Sequence, residues 1–327
     1  MRPGRRLIVG AALTCLAMPR IAAPAAAPGS YRVGLLSGSS RNTTTTIDSL
    51  EQAMRELGYV EGRNLAWELR FADSRYERLP ALAADLVARK VDVIVTLGTA
   101  ATQAAQRATR QVPIVAMSLT DPIASGFAES LAVPIGNVTG TTNRGSEAAL
   151  KRLEIVASLV PKARRIGHFW NPENQGNEIG LGEIRKGIER LGLTVVSLPV
   201  KRPEDIERSA AIFQRERVDA LNVSIDGFLT DRRDQLAKLA LAHRLPSSGG
   251  TRLFVEAGGL MSYGASSDDH SRRAAAYIDR ILNGAKPRDL PFQQTDKFDL
   301  FLNRKTAQVL GIVFPPTLLV RADLVIG

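Results

Sequence analysis

The order of apolar and polar residues predicts that strands and helices alternate from residue 31 onward. Tyr31–Leu36 is an apolar run of strand length, and it ends in the polar segment Ser37–Ser40. The next apolar residues recur at three- and four-residue spacing, as on one face of a helix: Ile47, Leu50, Met54 and Leu57. Further strands are predicted at Leu65–Phe71, Val91–Leu97 and Pro113–Leu119, with helices at Tyr76–Lys90 and Thr99–Arg110. A repeated strand–helix unit predicts a parallel sheet covered by helices on both faces.

A polar segment rich in glycine and threonine, Asn137–Gly145, interrupts this pattern. The alternation then restarts, with helices predicted at Glu147–Val160, Asn177–Leu191, Pro203–Arg217 and Thr230–His243, and strands at Arg165–Trp170, Thr194–Val200 and Val218–Ile225. Two successive doubly wound, Rossmann-like units predict an α/β protein of two lobes with a cleft between them. Ligands of such sheets bind beyond the carboxyl ends of the strands, and in a bilobal protein these ends face the same cleft.

The N-terminus has the order of segments that is typical of an export signal. Basic residues (Arg2, Arg5 and Arg6) precede an apolar run, Leu7–Met18, which is shorter than the roughly twenty residues needed to span a bilayer. The triplet Ala23-Pro24-Ala25 provides small residues for cleavage, so we expect residues 1–27 to act as a signal peptide. The pair Arg5-Arg6 also permits twin-arginine export. We therefore expect the mature protein in the periplasm.

The one cysteine of the chain, Cys15, lies inside this signal. The preceding Leu13-Thr14 fits a lipoprotein signal poorly, because a small residue is expected before a lipid-modified cysteine, so we do not expect a lipid anchor. The mature chain would then contain no disulfide and no thiolate nucleophile.

Composition and charge are those of an ordinary globular protein. The 327 residues include 43 Lys and Arg and 33 Asp and Glu, for a formal net charge of +10. Four of the arginines lie in the first twenty residues, and the other basic residues are spread along the chain rather than clustered. Nucleic-acid binding would require a basic stripe, so we expect no nucleic-acid partner.

Seven short phrases, in this order, resemble the substrate-binding protein family of ABC transporters, whose characterised members include tryptophan- and tyrosine-binding proteins. They are Glu56–Asn64, Tyr76–Ala84, Val91–Val95, Gly136–Gly140, Asn171–Pro172, Phe254–Gly264 and Pro315–Pro316. The resemblance implies the type I periplasmic-binding-protein fold, in which hinge strands cross three times between the lobes. It also implies that the helix Asp268–Asn283 returns to the first lobe and that the tail from about Pro291 crosses back.

These implied crossings give domain boundaries and a function. The first lobe is expected to contain residues 28–140 and 262–290, and the second lobe residues 141–261 and 291–327. The implied function is that of a monomeric periplasmic component of an importer, which binds a small molecule in the cleft and hands it to ABC permease and ATPase subunits. A sensor that presents its ligand to a membrane receptor is the alternative, because its cleft would be built in the same way.

Two loops of the first lobe are candidates for binding a carboxylate. Gly98–Thr102 follows a buried strand and opens a helix, where backbone N–H groups attract anions, so Thr99 and Ala100 are candidate contacts. The alternative is that Thr99 only caps its helix. Ser37 and Ser39 lie in the loop after the first strand, which could equally be a plain connection.

Strand ends also supply acidic, amide and aromatic candidates. Asp121 and Asp226 could each pair with an ammonium group, although Asp121-Pro122 could instead form an Asx turn. Asn171 offers a donor and an acceptor. Phe228 could stack on a flat ligand or belong to the core. Related sequences often continue the Asn-Pro phrase with a second Asn-Pro where this chain has Glu173-Asn174-Gln175. This departure lies in an expected cleft loop and weakens the transfer of ligand identity from the family.

The sequence does not favour an enzyme, a metal site or a cofactor. The three histidines (His168, His243 and His270) do not have metal-ligand spacing, and neither a nucleophile elbow nor a Walker A loop is present. A repressor with the same bilobal fold would need a helix-turn-helix where the export signal lies. An α-amino acid or similar small zwitterion fits one carboxylate seat plus Asp121 or Asp226, and carboxylates, amides and small heterocycles are the alternative ligands.

Overall fold

The computed structural model describes residues 30–41 and 45–327. The expected signal peptide and Cys15 lie outside the described residues. In the part of the chain that is described, none of the helices is long and apolar enough to cross a membrane.

The first lobe is built around a six-stranded sheet in which every strand pairing is parallel. Its order is β13-β7-β4-β3-β1-β2. The strands are β1 (Tyr31–Ser37), β2 (Leu65–Phe71), β3 (Val93–Leu97), β4 (Ile114–Leu119), β7 (Val138–Thr142) and β13 (Gln293–Gln294). The helices are α1 (Thr45–Glu56), α2 (Leu79–Ala88), α3 (Thr99–Ala108) and α10 (Ser267–Leu282), and β5 (Ala128–Ser130) pairs with β6 (Val133–Pro134) in a separate small ribbon. A 3₁₀ turn at Tyr76–Arg78 precedes α2.

The second lobe is built around a seven-stranded sheet of order β15-β14-β12-β11-β10-β8-β9, in which only the β12–β14 pairing is antiparallel. Its strands are β8 (Arg165–Trp170), β9 (Thr194–Pro199), β10 (Ala220–Val223), β11 (Ser247–Gly249), β12 (Met261–Ala265), β14 (Phe298–Asn303) and β15 (Leu324–Ile326). Its helices are α4 (Gly145–Leu159), α5 (Gln175–Ile188), α6 (Pro203–Arg215), α7 (Gly227–Asp231), α8 (Arg233–Ala242), α9 (Arg252–Glu256), α11 (Arg304–Leu310) and α12 (Pro316–Arg321). A short 3₁₀ turn lies at Glu189–Leu191, and another at Pro287–Asp289 belongs to the first lobe, where it contacts β6 and β7. Two doubly wound α/β lobes, as predicted, are confirmed.

Apolar side chains hold helices to both faces of the sheets. In the first lobe, Ile47 and Met54 of α1 pack with Ile278 of α10 against Val95 of β3, and all four side chains are fully or almost fully buried. Strands that are buried on both faces appear in the sequence as continuous apolar runs. This is why β3 and β4 could be predicted from the sequence.

The chain passes between the two sheets three times. It crosses after β7, again between β12 and α10, and a third time between β13 and β14. The expected boundaries had placed residues 262–265 in the first lobe and 293–294 in the second. The structure places them the other way round, because β12 keeps its antiparallel pairing with β14 as far as Ala265 while Gln293 and Gln294 pair with β7.

The polar segment that was expected to interrupt the pattern contains a buried strand. All five residues of β7 are buried, although three of them are threonines. Thr139 donates a hydrogen bond to the carbonyl oxygen of Leu290, and the hydroxyl of Thr141 bonds to His270 Nδ1 at 2.9 Å. Because their hydroxyls are satisfied, these β-branched residues can fill a central strand.

Candidate functional site

The two lobes enclose a cavity of about 140 Å³ at the carboxyl ends of their strands. The first lobe contributes the residues that follow β1, β3 and β4, and the second lobe contributes the segments around α7 and the start of α5. Polar side chains that line it include Ser37, Ser39, Thr99, Thr120, Asn174 and Asp226. This is the position at which open α/β sheets bind ligands.

The first turn of α3 forms one wall of the cavity. Gly98 follows β3 and has a φ of 80°, a left-handed conformation that glycine adopts without strain, and this turn directs the chain into the helix. Thr99, Ala100 and Ala101 line the cavity. The first N–H groups of a helix have no partner within it, and the helix dipole adds positive potential, so this wall can hold a carboxylate.

A pair of serines after β1 lies on the same wall. Ser37 and Ser39 are both buried, and their hydroxyl oxygens are 2.8 Å apart. The backbone N–H of Ser39 donates to Ser37 Oγ at 3.2 Å, which fixes the loop. One hydroxyl of this pair donates to the other, so the pair can present at most one O–H to an anion that lies at the start of α3.

Asp226 places a carboxyl group on the opposite wall. It is 4% exposed and caps α7 by accepting a hydrogen bond from the backbone N–H of Leu229. Its Oδ2 accepts from Tyr76 Oη at 2.8 Å and from Asn174 Nδ2 at 2.9 Å. Burial raises the pKa of Asp226 above its ordinary value, and the hydrogen bonds from Asn174 and Tyr76 partly oppose the rise. Each of these donors is neutral, so they solvate the carboxylate without cancelling its charge.

Tyr76 connects the two lobes. Its hydroxyl donates to Asp226 and accepts from the backbone N–H of Gly227 at 3.1 Å, so one first-lobe side chain makes two bonds to the second lobe. We call this arrangement of Tyr76, Asp226 and Gly227 the interlobe bridge. Burial raises the pKa of Tyr76 well above its ordinary value, and the neighbouring Asp226 carboxylate adds to the rise, so the hydroxyl keeps the proton that it donates.

Further contacts show that the cleft is closed. The carboxylate of Asp231 accepts hydrogen bonds from the backbone N–H of Ser40 at 2.9 Å and from the hydroxyl of Ser74. The side chains of Gln103 and Gln175 also bond across the cleft. These contacts join residues that are far apart in the sequence and lie on different lobes.

Two glycines allow this close approach of the lobes. A Cβ at Gly227 would lie 2.7 Å from the backbone nitrogen of Ser39. A Cβ at Gly176, in the first turn of α5, would lie 2.5 Å from Thr99 Oγ1. Larger residues would therefore keep the lobes apart.

Five of the eight predicted contact residues line the cavity: Ser37, Ser39, Thr99, Ala100 and Asp226. Asp121 does not line it. Its Oδ1 accepts from the backbone N–H groups of Ile123 and Ala124 at 2.9 and 3.0 Å, which is the turn that competed with the binding hypothesis.

Asn171 and Phe228 do not line the cavity either. Asn171 lies behind Asp226, and its Nδ2 donates to Asp226 Oδ1 at 3.3 Å. Phe228 is buried in the apolar cluster that the two lobes share, and the guanidinium of Arg232 lies over its ring.

Sequence reasoning missed several residues that line the cavity. Asn174 belongs to the segment in which this chain departs from the expected Asn-Pro phrase, so that departure was a usable signal. Ser118 has a φ of 60°, which is uncommon for a residue other than glycine, and its carbonyl oxygen accepts from Asn143 Nδ2 at 3.1 Å. Nothing in the local sequence indicated that Tyr76 would reach the other lobe.

Within residues 30–41 and 45–327, no group of three or more His, Cys, Asp and Glu side chains is placed to hold a metal ion. The polar groups among the residues that line the cavity are hydroxyls, amides, backbone N–H groups and one carboxyl group.

Comparison with known proteins identifies relatives that resemble this chain in sequence and in fold. A tyrosine-binding protein of Clostridioides difficile (strain R20291) is 26% identical over 261 residues, which are 80% of this chain and 75% of that protein. The crystal structure of an ABC domain from Streptococcus pneumoniae in complex with L-Trp is 26% identical, with a TM-score of 0.85 over 91% of this chain and 100% of that one. A conserved domain protein from Vibrio cholerae is 25% identical, with a TM-score of 0.84 over 90% and 99% of the two chains.

These likenesses favour substrate binding for an ABC transporter over the sensor alternative. The model of the family described as ABC transporter substrate binding protein matches residues 34–326, which is almost the whole described chain. The chain therefore belongs to the ABC transporter substrate-binding protein family.

Proposed function

We propose that the cavity binds a small zwitterion, an α-amino acid, with its ammonium group at Asp226 and its carboxylate at the start of α3. The observation that carries this proposal is the pairing of opposite potentials across one buried cavity. Asp226 places a carboxyl group among neutral donors, while the N-terminus of α3 and the side chains of Ser37 and Ser39 line the same cavity. A molecule with one positive and one negative end fits both walls at once.

The energetics favour a charged partner for Asp226. A buried carboxylate is costly unless it is hydrogen-bonded and paired, and here only the hydrogen bonds are provided by the protein. A ligand ammonium would supply the missing positive charge. Removing one partner of such a buried pair typically costs about 3–5 kcal/mol, whereas an exposed pair is worth less than about 1 kcal/mol.

The relatives support the same class of ligand without fixing its identity. One is named for tyrosine, and a structural neighbour contains L-Trp. In this chain, the aromatic side chain that lines the cavity is Tyr76, whose hydroxyl is already engaged in the interlobe bridge.

Closure is the step that couples binding to delivery. A ligand between the lobes contacts both walls only when the cleft is closed, so binding shifts the population toward the closed form. We propose that permease and ATPase subunits of an importer receive the ligand from this form. We further propose that the mature protein works as a monomer in the periplasm and does no chemistry on the ligand.

The test is calorimetric titration of the mature protein with the twenty amino acids. For each amino acid that binds, the N-acetyl and carboxamide derivatives are titrated in parallel, because each derivative removes one charge and keeps the side chain. We expect both derivatives to bind at least 100-fold more weakly. A derivative that binds as tightly as its parent would contradict the assigned role of that charged group.

A further inference from the structure

A buried arginine in the second lobe has no acidic partner among its described contacts. Arg152 on α4 is 2% exposed. Its Nε donates to Asn222 Oδ1 at 3.0 Å and its Nη1 donates to the carbonyl oxygen of Tyr263 at 2.9 Å. Burial lowers the pKa of Arg152 to about 10, so the guanidinium is still protonated at neutral pH. A positive charge is therefore held in the interior by neutral acceptors, an arrangement that is unfavourable unless an anion compensates it.

The neighbouring hydrogen bonds have one consistent direction. Asn222 Oδ1 accepts from Arg152 and from Ser248 Oγ, so its Nδ2 is the group that donates to His168 Nδ1 at 2.8 Å. Burial and the charge of Arg152 lower the pKa of His168 to about 3, so the ring is neutral and carries its one proton on Nε2.

This tautomer orients a serine. His168 Nε2 donates to Ser224 Oγ at 3.0 Å, so the oxygen of Ser224 acts as the acceptor and its own proton remains available to another group. The O–H group of Ser224 therefore points away from His168 and can donate to another group.

Arg152 and Ser224 line the same small chamber, which has a volume of about 30 Å³. Thr120 and Asn177 contribute further polar side chains to its wall. The chamber lies beside the ligand cavity, and the two share the lining residues Thr120, Asn143 and Ile225. A volume of this size is enough for a water molecule or a monatomic ion.

We propose that this chamber, which we call the Arg152 chamber, binds a monovalent inorganic anion of the size of chloride. The guanidinium provides the charge and Ser224 provides a directed O–H donor. The chamber is too small for the amino acid proposed above, and its assignment does not depend on that proposal. A single water is the alternative occupant, because Asn143 Oδ1, which is buried without a partner, would accept a hydrogen bond from it.

The first test uses bromide in place of chloride. Crystals of the mature protein are soaked in sodium bromide, and anomalous scattering is recorded at the bromine edge. We expect an anomalous peak in the Arg152 chamber, within hydrogen-bonding distance of the guanidinium and of Ser224 Oγ. A chamber that holds only water, with bromide at surface sites alone, would overturn the proposal.

The second test measures thermal unfolding at constant ionic strength while chloride replaces gluconate, which is too large for the chamber. We expect the melting temperature of the wild type to rise with chloride and to saturate. Ser224→Ala should raise the chloride concentration that gives half of the increase in melting temperature at least threefold. Arg152→Met should abolish the response of the melting temperature to chloride if that variant folds. Arg190→Met, at an exposed position outside the chamber, is the charge-matched control and should behave as the wild type. If Ser224→Ala has the same half-maximal chloride concentration as the wild type, or if the melting temperature of the wild type does not respond to chloride, the proposal is wrong.

Discussion

Replacing Gly227 with alanine tests whether close approach of the lobes is needed for binding. The added Cβ would lie 2.7 Å from the nitrogen of Ser39 and 3.0 Å from the carbonyl carbon of Gly38, which are backbone atoms of the other lobe. Side-chain rotation cannot relieve such contacts, so the lobes must separate by about 0.7 Å to restore ordinary packing. The interlobe bridge lies at the same point and would be stretched.

The cost of this separation follows from the two bonds that Tyr76 makes. Its hydroxyl lies 2.8 Å from the Asp226 carboxylate and 3.1 Å from the backbone nitrogen of Gly227. After the separation, the first distance would approach the limit of ordinary hydrogen bonds and the second would exceed it. A bond to a charged group contributes about 1.5–3 kcal/mol and a neutral one about 0.5–1.5 kcal/mol. The closed form should therefore lose about 2–4.5 kcal/mol, which corresponds to at least about a 30-fold weaker affinity.

The assay is calorimetric titration with an amino acid from the panel, alongside thermal unfolding. The melting temperature should not fall, because the clash exists only when the lobes are closed and alanine favours helices more than glycine does. Gly182→Ala is the matched control, since Gly182 lies in α5 and a Cβ there would meet nothing within 4 Å. If Gly227→Ala binds within threefold of the wild type, the lobes do not need this approach and the reasoning is refuted.

Four further predictions concern the charge of Asp226, its pH dependence, lobe closure and export. Asp226→Asn should weaken amino-acid binding at least 100-fold while Asp121→Asn stays within threefold, and equal titration curves for the two variants would contradict the assignment of the ammonium site. Because the pKa of Asp226 is raised, affinity should fall as pH decreases through a range above that of an ordinary aspartate, and Asp226→Asn should lose this dependence; a wild-type affinity that is flat in pH would contradict it. Small-angle scattering should show a smaller radius of gyration with ligand than without it, and a ligand-free protein that is open but does not contract at saturation would exclude closure on binding. N-terminal sequencing of periplasmic protein should begin near residue 26, and recovery of Met1 would rule out the signal peptide.

The sequence predicted the α/β architecture because most of its strands are buried and apolar. It did not reveal β7, since Thr139 and Thr141 look polar in the sequence and only their partners Leu290 and His270, more than a hundred residues away, allow them to be buried. A pattern of local residues cannot report such long-range hydrogen bonds.

The sequence could predict which loops lie at the cleft, because these loops follow the carboxyl ends of predicted strands. Asp121 and Asp226 both follow buried strands, yet only Asp226 lines the cavity, because Asp121 turns back to its own loop. Tyr76 was missed since its role depends on a partner 150 residues away on the other lobe. Lobe closure brings these residues together, and the sequence of either lobe alone does not encode which side chains will meet.

The most direct test of the proposed function is a crystal structure of the mature protein with an amino acid that binds in the titration panel. The account predicts the ligand in the cavity between the lobes, with its ammonium nitrogen within hydrogen-bonding distance of Asp226 and its carboxylate at the backbone N–H groups of Thr99, Ala100 and Ala101. A ligand whose carboxylate lies at Asp226, or one bound outside this cavity, would contradict it.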